Sequence, residues 1–226
     1  MILKVSHSQF LLHSPCFTQF LYIPARLPSS SPFEQRLSTR KMSCSCEAAS
    51  PTLRTVTISY SDLKDKNADL SAKIEEGFGP NGLGILSISD VPEYSSLRQK
   101  LLYLSPRLAN LPEAAKKELE DPNSRYNFGW SHGKEKLESR KPDLLKGSFY
   151  ANPILDRPTT NAYLIQRYPS YCGPNIWPHK DVPELEFAFK ALGKLIVDVG
   201  LMLAYHCDHY GNSLYLMFLV FNSVIL

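Results

Sequence analysis

Gly77-Phe78-Gly79-Pro80-Asn81-Gly82-Leu83-Gly84 is the stretch that settles the architecture, because its first six residues match the dinucleotide-binding spacing Gly-x-Gly-x-x-Gly. That spacing works when a strand precedes the glycines and a helix follows, so that the helix N-terminus meets a pyrophosphate. Here the flanks are reversed. A charged segment running to about Glu76 precedes the glycines and reads as a helix, with Ser61-Asp62 as its N-cap. Ile85, Leu86 and Ile88 follow and read as a strand. Pro80 also removes a backbone donor from the loop. The glycines therefore end a helix and open a strand, and no cofactor site is expected there.

Working outward, Val56, Ile58 and Tyr60 alternate as a short strand before the charged helix. Downstream, Leu97, Leu101, Leu104 and Leu108 fall at three- and four-residue steps, which predicts a helix over 94–111 with one core face. Pro112 then opens a short helix through Ala114-Ala115-Lys116-Lys117-Glu118-Leu119. From Asp121 to Pro183 the chain is rich in Pro, Gly, Asn and aromatics, a segment with few regular elements that aromatic packing and side-chain hydrogen bonds must fix. Pro183 marks the start of the clearest helix, which runs to about Tyr210 with Leu185, Phe189, Leu192, Ile196, Val199 and Leu203 at helical spacing.

Composition bounds the function. The chain has 226 residues, 43% of them apolar, enough for an ordinary core. Its net charge of +3 is concentrated at the start, where residues 1–41 hold Lys4, Arg26, Arg36, Arg40 and Lys41 against Glu34 alone. The remainder has no basic excess, so no nucleic-acid partner is expected. The acid-poor, serine-containing leader suits a plastid or mitochondrial transit peptide; the rival reading is an unfolded upstream extension, with translation starting at Met42. Five scattered cysteines fit a reducing compartment, and cytoplasmic placement is expected, with the plastid as the alternative if residues 1–41 act as a transit peptide. Cys44 and Cys46 lack a second ligand pair nearby and read as solvated thiols. The terminal 16 residues from Gly211 are uncharged, yet fall short of the roughly 20 that a membrane helix needs. A buried strand or an altered terminus is preferred there, with a tail anchor left open.

Several elements taken in order carry a family resemblance. The strand, helix, Gly-rich loop and strand from Val56 to Ser89, the run Arg125-Tyr-Asn-Phe-Gly-Trp-Ser-His-Gly-Lys-Glu-Lys, and Pro174-Asn-Ile-Trp-Pro followed by Pro183 and a long helix resemble the plant-type iron(II)/2-oxoglutarate-dependent oxygenases. The likeness is to that family's N-terminal non-haem dioxygenase region and covers about residues 52–210. It implies a jelly-roll core, iron held by a His-x-Asp pair and a distal His, and 2-oxoglutarate held by an Arg-x-Ser pair. The implied chemistry is oxidation of a small molecule coupled to oxidative decarboxylation.

An eight-stranded jelly roll takes on the order of 70 residues. After Pro183 only 43 residues follow, most of them helical. The expected fold is therefore α+β: a mainly helical N-terminal region with a few short strands, its barrel largely missing. The expected division is a leader at 1–50, the dioxygenase N-terminal region at 51–210 and an apolar tail at 211–226. No catalytic, cofactor or metal residues are assigned to this chain; iron(II) and 2-oxoglutarate are expected only of full-length relatives. Two His-x-Asp triplets exist, His179-Lys180-Asp181 and His206-Cys207-Asp208, with His209 beside the second. An iron site from His179, Asp181 and His209 is weighed and set aside, since the macrodipole at a helix C-terminus accounts for His206 and His209. Arg36-Leu37-Ser38 lies on the wrong side of the chain to serve as the 2-oxoglutarate clamp. Tyr126, Phe128 and Trp130 are the candidate wall of a substrate entrance in a full-length relative, against the reading that they pack their loop. The leading reading is the N-terminal part of an oxygenase, inactive by itself and prone to self-association through uncovered apolar faces. A small oxygenase using the triplets, or an interaction or tail-anchored protein, are the alternatives.

Overall fold

The computed structural model describes residues 54–211, together with the backbone of Ile2–Lys4 and Ile23–Pro24. Its architecture is α+β, as expected, with two three-stranded sheets and a long helix that reaches both.

The first sheet is built from β1 (Ile2–Lys4), β3 (Val56–Ser59) and β4 (Ile85–Ser89), in the order β1-β4-β3. β3 and β4 run parallel, with Val56 opposite Leu86 and Ile58 opposite Ile88. Parallel neighbours need a crossover, and two short helices supply it: α1 (Tyr60–Lys64) and α2 (Ser71–Phe78). The charged segment is thus two helices rather than one, and the first is capped by Ser59 rather than Ser61-Asp62. The Ser59 hydroxyl accepts from the Asp62 N–H at 3.1 Å. Between the helices, the Asp65 carboxylate takes the Asn67 N–H at 2.9 Å and Asp69 takes the Ser71 N–H at 3.0 Å. These Asx turns offer the backbone an alternative to the helical ladder and split it.

The glycine loop closes the crossover as its flanks predict. Gly77 lies inside α2 against β4, where a Cβ would stand 2.3 Å from the Leu86 Cδ2, so the absence of a side chain lets helix and strand touch. Gly84 has a φ of +67° and turns the chain into β4.

α3 (Tyr94–Ala109) buries Leu101, Leu104 and Leu108 on the predicted face, and α4 (Glu113–Glu118) starts after Pro112. The second sheet, in the order β2-β6-β5, contains β2 (Ile23–Pro24), β5 (Gly129–His132) and β6 (Lys146–Tyr150). β5 and β6 form an antiparallel hairpin with Trp130 opposite Phe149. The periodicity of the sequence does not announce this hairpin. Both faces of β6 are covered, with Gly147 through Tyr150 all buried, so the alternation that marks a half-exposed strand is missing. Two short helices follow, α5 (Ala162–Arg167) and α6 (Pro169–Cys172). Asn161 caps α5, its side chain accepting from the Tyr163 and Leu164 N–H groups.

α7 (Glu184–Tyr210) has 27 residues and spans roughly 40 Å at 1.5 Å per residue. Gly193 and Gly200 do not break it. Its first half packs Leu185, Ala188, Phe189 and Leu192 with α3 and the hairpin; its second half packs Val199 and Leu203 with β3, β4, α1 and α2. Among the described residues, no helix is long and apolar enough to cross a membrane. The stretch beyond Gly211, where a tail anchor was left open, lies outside the described residues, as do Cys44, Cys46 and the Arg36-Leu37-Ser38 triplet.

Candidate functional site

The loop before β5 is a tight structure held from inside. Ser124 is fully buried; its hydroxyl donates to the Asp121 carbonyl at 3.0 Å and accepts from the Asn127 N–H at 3.1 Å. The Ser170 hydroxyl donates to the Ser124 carbonyl at 2.7 Å and ties the loop to α6. This clamp holds two consecutive residues, Arg125 (φ +58°) and Tyr126 (φ +63°), in the left-handed region that non-glycine residues visit sparingly.

The three entrance candidates occupy different settings. Tyr126 is partly exposed, with the Lys134 ammonium 4.6 Å from its ring centroid. Phe128 is buried beside Gly173, where a Cβ would meet its ring at 3.1 Å. Trp130 is buried over Gly147, where a Cβ would stand 2.4 Å from the indole. Of the three, Tyr126 is the one that reaches the surface.

A second constellation centres on Asp156. Its carboxylate accepts from Asn175 Nδ2 at 2.9 Å, from Trp177 Nε1 at 2.8 Å and from the Lys190 ammonium. Asn175 is doubly anchored, its side chain accepting from the Asn152 N–H at 2.7 Å and donating to the Asn152 carbonyl at 2.8 Å. Lys190 also pairs with Glu186 at 2.5 Å and sits 5.6 Å from the Trp177 ring centroid. Burial by itself would raise the Asp156 carboxyl, but the hydrogen bonds from Lys190, Asn175 and Trp177 outweigh it and hold the group below the usual carboxylate range. For Lys190 burial acts downward, and the two carboxylates overcome it and raise the ammonium. The Pro174-Asn-Ile-Trp-Pro run thereby becomes a lock joining the 152–156 loop to the first turns of α7. The run itself is visible in the sequence. Its partners, 19 residues before Asn175 in one direction and 15 after it in the other, leave no local signal.

The His-x-Asp triplets are separated by the length of α7. His179, Lys180 and Asp181 are exposed before its start, with His179 Nδ1 3.7 Å from Glu186. At the far end, His206 is buried and its Nε2 donates to the Leu63 carbonyl at 2.9 Å. This corrects the macrodipole reading for His206, which serves to dock α7 on α1; His209 is exposed and stacks on Tyr205. A facial set of two imidazoles and a carboxylate needs its donors within a few ångströms. Asp181 and His209 stand at opposite ends of a helix of roughly 40 Å, so these residues do not fit iron together. Among the described residues, no group of three or more His, Cys, Asp and Glu side chains could hold a metal ion. The two thiols among the described residues are held in the protonated form: burial raises Cys172, and burial followed by the Asp208 charge pushes Cys207 up to about 11.

The family model described as the N-terminal region of the non-haem dioxygenase in morphine synthesis matches residues 55–180, from the first residues of β3's approach to the loop before α7. No curated protein and no solved structure matches the chain. The family match covers more than half of the sequence and contains the crossover, the clamped aromatic loop, the hairpin and most of the Asp156 lock. The chain belongs to the non-haem dioxygenase N-terminal family.

Proposed function

We propose that residues 54–211 are the supporting N-terminal part of an iron(II)/2-oxoglutarate-dependent oxygenase, contributing structure rather than metal ligands. The supporting observations are the family match over residues 55–180 and two histidines directed elsewhere: His206 to the Leu63 carbonyl, and His179 toward Glu186 at the opposite end of α7. In this reading the family's chemistry, oxidation of a small molecule coupled to 2-oxoglutarate decarboxylation, belongs to a catalytic half that this region braces. Tyr126 is the residue of the entrance trio placed to touch a substrate there. Trp130 and Phe128 hold the loop that presents it.

The test uses the whole chain, purified and verified as folded by its near-ultraviolet circular dichroism. Incubated with iron(II), ascorbate and 2-oxoglutarate, it releases no succinate above a protein-free control, and equilibrium dialysis recovers less than one iron per ten chains. Catalytic succinate release, or one tightly held iron per chain abolished by His206→Ala, would overturn the proposal.

A second reading is favoured by one specific observation. Tyr103 on α3 and Phe187 on α7 are each 75% exposed, which is high for such side chains. An interaction module would use them, and the oligomeric state measured by sedimentation for the wild type and for Tyr103→Ser with Phe187→Ser distinguishes it from a monomeric scaffold.

A further inference from the structure

We draw no further inference here: the strongest candidate, the polar cleft at the root of the β5–β6 hairpin where the buried Ser131 and Ser148 lie opposite each other, has a volume of about 10 Å³, close to that of a single water, and its Lys134 and Lys146 ammonium groups are already neutralised by Glu120 and Glu135, so nothing in it selects a ligand.

Discussion

The two halves of α7 meet their neighbours by different physical means. The first half lies against rings: Phe189 meets Phe149 at 6.0 Å and Trp177 at 5.6 Å between centroids, both edge-on, and the Asp156 lock fixes Trp177 from outside. The second half lies against an aliphatic sheet and two short helices, through Ile58, Leu63, Ile74, Leu86 and Ile88, with the buried His206 hydrogen-bonded to α1. Regular strands need only apolar side chains to be covered, because their backbone groups are already paired in the ladder. The irregular 121–183 segment lacks that ladder over most of its length, so side chains such as Ser124, Asn152 and Asn175 pair its backbone groups instead. Such a region depends on a few specific residues, where the sheet side depends on many similar ones.

The largest expected effect is at the aromatic end. Phe189→Ala removes a fully buried ring from a three-ring cluster and should cost about 4 kcal/mol, against about 3 kcal/mol for Leu203→Ala at the aliphatic end. Urea denaturation measures both, and a larger loss for Leu203→Ala would break the comparison. His206→Ala comes next, at about 2 kcal/mol, because it strands the Leu63 carbonyl, one of the last in α1 and so without a helical partner. Hydrogen exchange should then rise in α1 and the last turns of α7 while the hairpin stays protected.

Two glycines sharpen the contrast between stiff and yielding neighbours. A methyl at Gly147 would press on the buried indole of Trp130, and one at Gly77 on the tip of Leu86. Gly147→Ala should therefore cost about 2 kcal/mol by overpacking, and Gly77→Ala less, since a leucine end can rotate away. Equal losses in thermal unfolding would mean that the aromatic core is as compliant as the aliphatic one.

Asp156→Asn tests the lock, with an expected loss of about 1 kcal/mol at neutral pH because the carboxylate is half exposed and its pairs are screened. Its carboxyl titrates below the usual range in the folded chain, so its stabilisation is complete above the ordinary carboxylate pKa of about 4 and is lost as pH falls through the lowered value. The variant should lose less stability than wild type as pH falls from about 4 through that lowered value; parallel acid limbs over this window would remove Asp156 from the account. Lys194→Ala marks the floor. It breaks an exposed pair with Asp198 one turn along α7 and should cost about 0.4 kcal/mol, vanishing in 1 M salt.

What was legible and what was not divides along the same line as the two halves. The parallel strands, the leucine face of α3 and the whole of α7 declare themselves, because each buries one side and so writes a period into the sequence. The reversed order around the glycines, helix before and strand after, is likewise legible before any fold is known. The split between α1 and α2 needed the competing Asx turns at Asp65 and Asp69, residues equally at home inside a charged helix. The β5–β6 hairpin was hidden because strands covered on both faces have no alternation to display.

Sequence alone thus determined the elements whose signal is local, together with the family, since glycine, proline and apolar spacing act within a few residues of themselves. Only the tertiary structure decided that Asp156 gathers Asn175, Trp177 and Lys190, that Trp130 lies over Gly147, and that His206 serves Leu63 rather than a metal. Those pairings join residues up to 143 positions apart, and hydrogen bonds and ring contacts at that separation are set by how the helices and sheets pack, which no short stretch of chain records.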